Sequence, residues 1–200
     1  MAIPLFRLPI IVIKLILETM GFIEIFVLTS TSSKTKRICK NLVKVRNYEM
    51  QIFMKKGEFL FHFQNISNPH FWEQIYSEWG NSHPKNVFCL KIGTIDQAPS
   101  EFLPAENGTA ALTTYWSKNN NHGVMLYNAL IELFKLPVKY IQMDLTGVEV
   151  KTHRGWIKLF NETLSAASLL AIVGECDYSD YVWIRENVKR ENGLAFNIIL

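Results

Sequence analysis

Cysteine is scarce in this chain: three residues (Cys39, Cys89, Cys176), odd in number and far apart. That excludes a disulfide framework, and with no CxxC pair it excludes a thiolate zinc site. Reduced thiols in the cytoplasm or nucleus are the expectation. The five histidines (His62, His70, His83, His122, His153) show no HxxxH or HxH spacing. Each therefore reads as a surface or loop residue rather than a metal ligand. GxGxxG, GxxxxGK[ST] and GxSxG are all absent, which removes the dinucleotide, P-loop and nucleophile-elbow signatures. No metal and no cofactor is expected.

A long uninterrupted apolar run is also missing. Residues 3–17 come nearest, but Pro4, Arg7, Pro9 and Lys14 break them and Glu18 closes them. A membrane span needs about 20 apolar residues, and no small-x-small cleavage site follows, so neither an anchor nor secretion is expected. Without export, the glycosylation patterns at Asn65, Asn107 and Asn161 are coincidence. With 48% hydrophobic and 20% charged residues, a disordered chain is excluded as well.

Charge is low and unevenly placed. The first 50 residues hold eight basic and three acidic residues, a net of +5. Of 21 basic and 18 acidic residues in all, 13 and 15 remain, so the other 150 residues sum to −2. Uniform basicity of the kind a nucleic-acid binder carries is thus excluded. The run Lys34-Thr35-Lys36-Arg37 with Lys40, Lys44 and Arg46 fits a nuclear-import or nucleic-acid patch, and fits better a solvated helix face.

What is present at the start is three short helices. Pro9 suits a first helical turn, where its missing N–H costs nothing. Over residues 10–20, Val12, Ile13, Ile16, Leu17 and Met20 recur at helical spacing. Gly21 breaks the run, residues 22–30 form a second apolar helix, and Thr29–Ser33 offers hydroxyl caps for a third over about 33–45. The first two helices are apolar nearly all round, more than three short helices bury among themselves. Either a partner or residues 47–200 must cover the surplus.

Leu8-Pro9, then Ile16, Leu17, Met20, Glu24, Ile25, Leu28, Ser30, Ser32 and Lys34, resembles an F-box, most of all that of the large nematode families. The likeness is gap-free over roughly residues 4–45. It departs at Ile10, where many F-boxes carry an acidic residue, and at Thr35, where many carry Trp. The resemblance implies docking to a Skp-family adaptor, through it to a cullin, and so a place in an SCF-type ubiquitin ligase. It further implies that Leu8, Pro9, Val12, Ile13, Ile16, Leu17, Ile25 and Leu28 form the adaptor-facing surface.

Downstream, Tyr48, Met50, Ile52 and Met54 alternate, Lys55-Lys56-Gly57 offers a turn, and Phe59, Phe61 and Phe63 alternate again, which predicts a hairpin. Phe71, Trp72, Ile75, Tyr76 and Trp79 predict a short amphipathic helix, and residues 86–92 a buried strand. Residues 93–121, rich in Gly, Pro, Asn and Ser, read as a long loop. From about residue 123, three helix–strand units follow. Their strands align at Ile141, Leu169 and Ala195, in steps of 28 and 26, the length of a leucine-rich-type repeat; plain β-α-β alternation is the simpler account.

The expected architecture is therefore α+β/α/β: an F-box over 1–46, a connecting α+β segment over 47–122 whose loop runs from 93 to 122, and leucine-rich-like helix–strand repeats over 123–200. Nematode-type F-box proteins usually continue into a further associated region, so a short or truncated member is expected. The expected function is a substrate adaptor, not an enzyme, that presents a target protein for ubiquitination. A non-catalytic decoy that binds the adaptor and recruits nothing is the alternative. Neither membrane nor nucleic acid is an expected partner. Glu175-Cys176-Asp177 with Asp180 gathers acid and thiol in one loop, read as solvated because no histidine lies near it in sequence.

Overall fold

The computed structural model describes residues 5–43, 48–68, 70, 72–79, 87–92, 95–104, 110–116, 122–164, 167–189 and 193–200. After a 3₁₀ turn at Leu5–Arg7 come α1 (Ile10–Thr19), α2 (Phe22–Ser30) and α3 (Ser33–Leu42), matching the expected helices. Each break has a local cause. Gly21 sits extended between α1 and α2, and the Ser32 hydroxyl accepts the Thr35 N–H at 3.1 Å to cap α3. The expected boundary at residue 46 lies outside the described residues.

The rest is one nine-stranded sheet: β1 (Tyr48–Lys55), β2 (Glu58–Asn65), β3 (Trp72–Trp79), β4 (Phe88–Ile92), β5 (Ile95–Pro104), β6 (Ala110–Trp116), β7 (Val138–Asp144), β8 (Leu169–Glu175) and β9 (Leu194–Ile199). Its spatial order is β4-β5-β6-β3-β2-β1-β7-β8-β9. The β1–β2 hairpin forms as its alternation requires, with Gly57 at φ 73° closing the turn. β3 is parallel to β6, and β1, β7, β8 and β9 are mutually parallel. Between the parallel strands run α4 (His122–Phe134), α5 (Val150–Leu159, continued by a π-helical turn at Phe160–Leu164) and α6 (Tyr178–Asn187).

The helices cover one face of the sheet. Phe22 of α2 stacks on Phe63 of β2 at 4.8 Å and lies 4.3 Å from Phe134 of α4. Phe59 of β2 meets His122 of α4 and Trp156 of α5 edge-on at 5.5 and 6.0 Å, and Tyr181 of α6 meets Phe196 of β9 at 6.1 Å. A single core cluster runs from Ile13 and Leu17 of α1 to Ile184 of α6. The opposite face of the sheet presents half-buried aromatics and amides. There Gln51 donates to Gln64 at 3.1 Å, and Tyr140 donates to Gln142 at 2.8 Å.

Three expectations need correction. Residues 72–79 are a strand, not a helix: Glu73, Ile75 and Ser77 are the buried set, a period of two that their polarity conceals. The long loop over 93–121 contains β5 and β6, where Leu112 and Trp116 are buried among small or polar residues (Ala98, Ser100, Thr113, Thr114) that dilute the hydrophobic signal. The helix–strand alternation after residue 123 is present, but its period is uneven. Ile141 pairs with Leu170 and Leu170 with Leu194, steps of 29 and then 24 residues, in a sheet that continues as antiparallel hairpins beyond β1.

Candidate partner-docking surface

Helix α1 has two apolar faces with different fates. Ile13 and Leu17, one turn apart, enter the core. On the outer side Ile10, Ile11, Val12 and Leu15 are 65%, 71%, 38% and 57% exposed, and Pro9 is exposed beside them. Ile11 and Leu15 are four residues apart, so their side chains lie one above the other, with Val12 and Ile10 flanking them. The helix also carries an exposed ion pair, Lys14 to Glu18 at 3.6 Å, which starts beside the stripe and runs toward the C-terminal end of α1. A contiguous exposed apolar stripe of this kind marks an interaction surface.

Of the eight residues implied by the F-box resemblance, Pro9 and Val12 lie on this stripe. Leu8, Ile16 and Leu28 are half-buried, Leu8 and Leu28 packing against the core, while Ile13, Leu17 and Ile25 are enclosed within the chain. Burial takes those three off the accessible face, because α2 and α3 and the sheet already cover them. Ile10, Ile11 and Leu15 were not singled out from sequence. A helix apolar all round does not say which way it will turn. The signal available was that Ile11 and Leu15 lie across the helix from Ile13 and Leu17.

The base of this surface is held by electrostatics. Glu73, almost fully buried on β3, accepts the N–H groups of Phe22 and Ile23 and so satisfies two orphan donors at the start of α2. Burial pushes its carboxyl above the ordinary carboxylate range, against the pull of those two bonds. Glu24 adds a local bond, its carboxylate accepting the Gly21 N–H at 2.9 Å. In the basic run, Lys34 and Arg37 of α3 are exposed and Lys36 and Lys40 reach Glu132 of α4 at 2.6 and 3.5 Å, while Lys44 and Arg46 lie outside the described residues. Lys36 holds the Glu132 carboxyl below its usual value. At Thr35, where many F-boxes have Trp, the side chain is buried and its hydroxyl lies 2.8 Å from that of Ser32.

Elsewhere two histidines contradict the expectation of surface positions: His122 and His153 are both buried. His153 lies 3.8 Å from Asp180, whose carboxylate also receives Arg154 at 2.9 Å. The acidic loop singled out from sequence thus does have a histidine beside it, delivered by α5. Cys176 in that loop has its thiol pushed up, first by burial and then by Asp180 and Asp177, the reverse of what a thiolate nucleophile needs. Among the described residues, no group of three or more His, Cys, Asp or Glu side chains is placed to hold a metal ion, and no helix is long and apolar enough to cross a membrane.

Against this geometry, residues 5–47 match the F-box domain, a span that takes in all three N-terminal helices and the exposed stripe of α1. The match supports an F-box protein. F-box domains bind Skp-family proteins within SCF complexes, and the domain implies in general a non-catalytic, Skp-binding adaptor role. The chain as a whole matches no curated protein and no solved structure.

Proposed function

We propose that this chain is a substrate adaptor of an SCF-type ubiquitin ligase, of the nematode F-box type, that docks a Skp-family protein through α1 and holds a target protein with its sheet-bearing part. The observation that carries the reading is the solvent-facing stripe Pro9, Ile10, Ile11, Val12 and Leu15, inside the F-box match. Full burial of each large apolar side chain is worth about 1.5–3 kcal/mol. At 38–71% exposure Ile10, Ile11, Val12 and Leu15 keep about half of that still to gain on docking, which offsets part of the association cost and leaves the rest to the neighbouring residues. The half-buried Leu8, Ile16 and Leu28 border the stripe and complete the docking face. Holding a target asks for a rigid surface, and the helix-free face of the sheet offers aromatics with adaptable amides such as Gln51, Gln64 and Gln142.

The test is capture of a purified Skp-family adaptor by the 200-residue chain, beside Ile11→Asp/Leu15→Asp. Both positions are exposed, so the variant keeps its fold. Capture by the wild type and its loss in the folded variant supports the docking face. A folded wild type that captures no adaptor removes the ligase reading.

A further inference from the structure

Where β7 and β8 end at Asp144 and Glu175, the chain opens a pocket of about 400 Å³. Parallel strands delivering their carboxyl ends to the starts of following helices are where α/β sheets place ligands. Here those helices are α5 and α6. The apolar part of its lining is Val148, Val150, Ile199 and Leu200. Its polar groups are Glu175 and Asp177 at the exposed rim and His153 and Asp180 inside.

Acidic residues alone do not make a site, but His153 is a second observation. It is 2% exposed, lines the pocket, and neither ring nitrogen has a hydrogen-bond partner. Asp180 at 3.8 Å is beyond bonding reach. A buried imidazole left this way wants a ligand that restores its bonds. Burial favours its neutral form, which keeps one nitrogen as an acceptor aimed at a donor. Among the described residues neither Glu175 nor Asp177 has an ion-pair partner, whereas Asp180 is answered by Arg154. The first N–H groups of α6 lean toward anions, and Asp177 at its N-cap and Asp180 in its first turn counter them.

We propose that this pocket binds an organic cation: an ammonium or guanidinium group on an aliphatic stem, carried by a lysine or arginine side chain of another protein or by a free amine. The stem lies along Val148, Val150, Ile199 and Leu200. The cationic head donates to the free His153 nitrogen and pairs with the rim carboxylates. A metal ion is the poorer fit, since the ligand set does not converge.

Isothermal titration calorimetry of the full chain tests this with acetyl-Gly-Arg-Gly-amide, acetyl-Gly-Lys-Gly-amide, the uncharged acetyl-Gly-Gln-Gly-amide, and agmatine. At least one cationic peptide or agmatine is expected to saturate, while the glutamine peptide does not. Glu175→Gln/Asp177→Asn, both on the exposed rim, is expected to weaken binding at least tenfold while keeping a cooperative unfolding transition, shifted only by the loss of the Asp177 charge at the start of α6. Bound cation is also expected to slow alkylation of Cys176 relative to the exposed Cys89, read by mass spectrometry. A peptide preference identifies a protein side chain as the ligand, and agmatine binding as tightly as the peptides identifies a free amine. Equal response to cationic and glutamine peptides, or wild-type affinity in the rim variant, overturns the proposal. Adaptor capture is unaffected by the rim variant, so this inference and the docking of α1 fail separately.

Discussion

Glu73 on β3 and Phe22 at the start of α2 are joined by a hydrogen bond of 2.8 Å, the Phe22 N–H donating to the Glu73 carboxylate, and the next N–H, that of Ile23, donates to the second oxygen at 2.9 Å. A strand 50 residues downstream therefore caps a helix of the F-box. Gly21 is part of the arrangement, since a Cβ there would come within 2.9 Å of the same carboxylate.

Glu73→Gln should lower stability by about 1–3 kcal/mol, the cost of leaving a buried group unsatisfied. An amide has one acceptor oxygen where the carboxylate has two, so one N–H is orphaned. Urea denaturation of the two proteins at neutral pH measures it. A loss below about 0.5 kcal/mol, the size of an ordinary surface change, would mean that the cap carries no weight.

The same residue gives a pH signature. Burial holds its carboxyl above the ordinary value, so the folded chain keeps that proton to higher pH than the unfolded chain. Between the unfolded value, about 4.3, and the folded one, the native state binds more protons. Its contribution to stability is full below that window and declines as pH rises through it. The wild-type advantage over Glu73→Gln should accordingly shrink from about pH 4 toward neutrality. An advantage that grows with pH contradicts the sign.

The two faces of α1 should separate in mutagenesis. Leu17→Ala empties a core position, 2% exposed, and should cost about 2–5 kcal/mol. Ile11→Asp, on a residue 71% exposed, should stay within about 0.5 kcal/mol while abolishing adaptor capture. Thermal unfolding and capture, measured on both variants, distinguish them. A large destabilisation by Ile11→Asp would mean that the stripe is covered.

Two glycines in helices should respond in opposite directions to alanine. At Gly123 a Cβ would lie 2.2 Å from the Phe59 ring, which is fixed between His122 and Trp156, so Gly123→Ala should cost about 1–3 kcal/mol. Gly155, inside α5, has nothing within 4 Å of its added Cβ, and Gly155→Ala should gain up to about 1 kcal/mol from helix propensity. Their melting temperatures should fall and rise respectively.

Local patterns carried most of the helices and the β1–β2 hairpin, because there the buried residues are also the apolar ones. β3 shows where that rule breaks. Its buried face holds Glu73, which serves α2, and Ser77, while Trp72 and Tyr76 stand on the other face. Apolar spacing then mimics a helix. β5 and β6 mix small and hydroxyl side chains with Leu112 and Trp116 in their buried set, and Pro99 adds a misleading turn signal, although β6 pairs with β5 only from Ser100 onward. For the candidate surface, the sequence pointed to the first two helices, but not to which side of α1 stays outside. The His153–Asp180 pair was illegible for a different reason: two helices bring it together across 27 residues.

Phe22, clamped between Phe63 and Phe134 and tied by its own N–H to Glu73, fastens α2 to the sheet just after the end of α1. If the chain is the ligase adaptor proposed above, such a joint works as a gauge: a target seated on the sheet would be held at one distance and one angle from whatever grips α1, and only those of its lysines on a narrow arc would come within reach of the transferring enzyme.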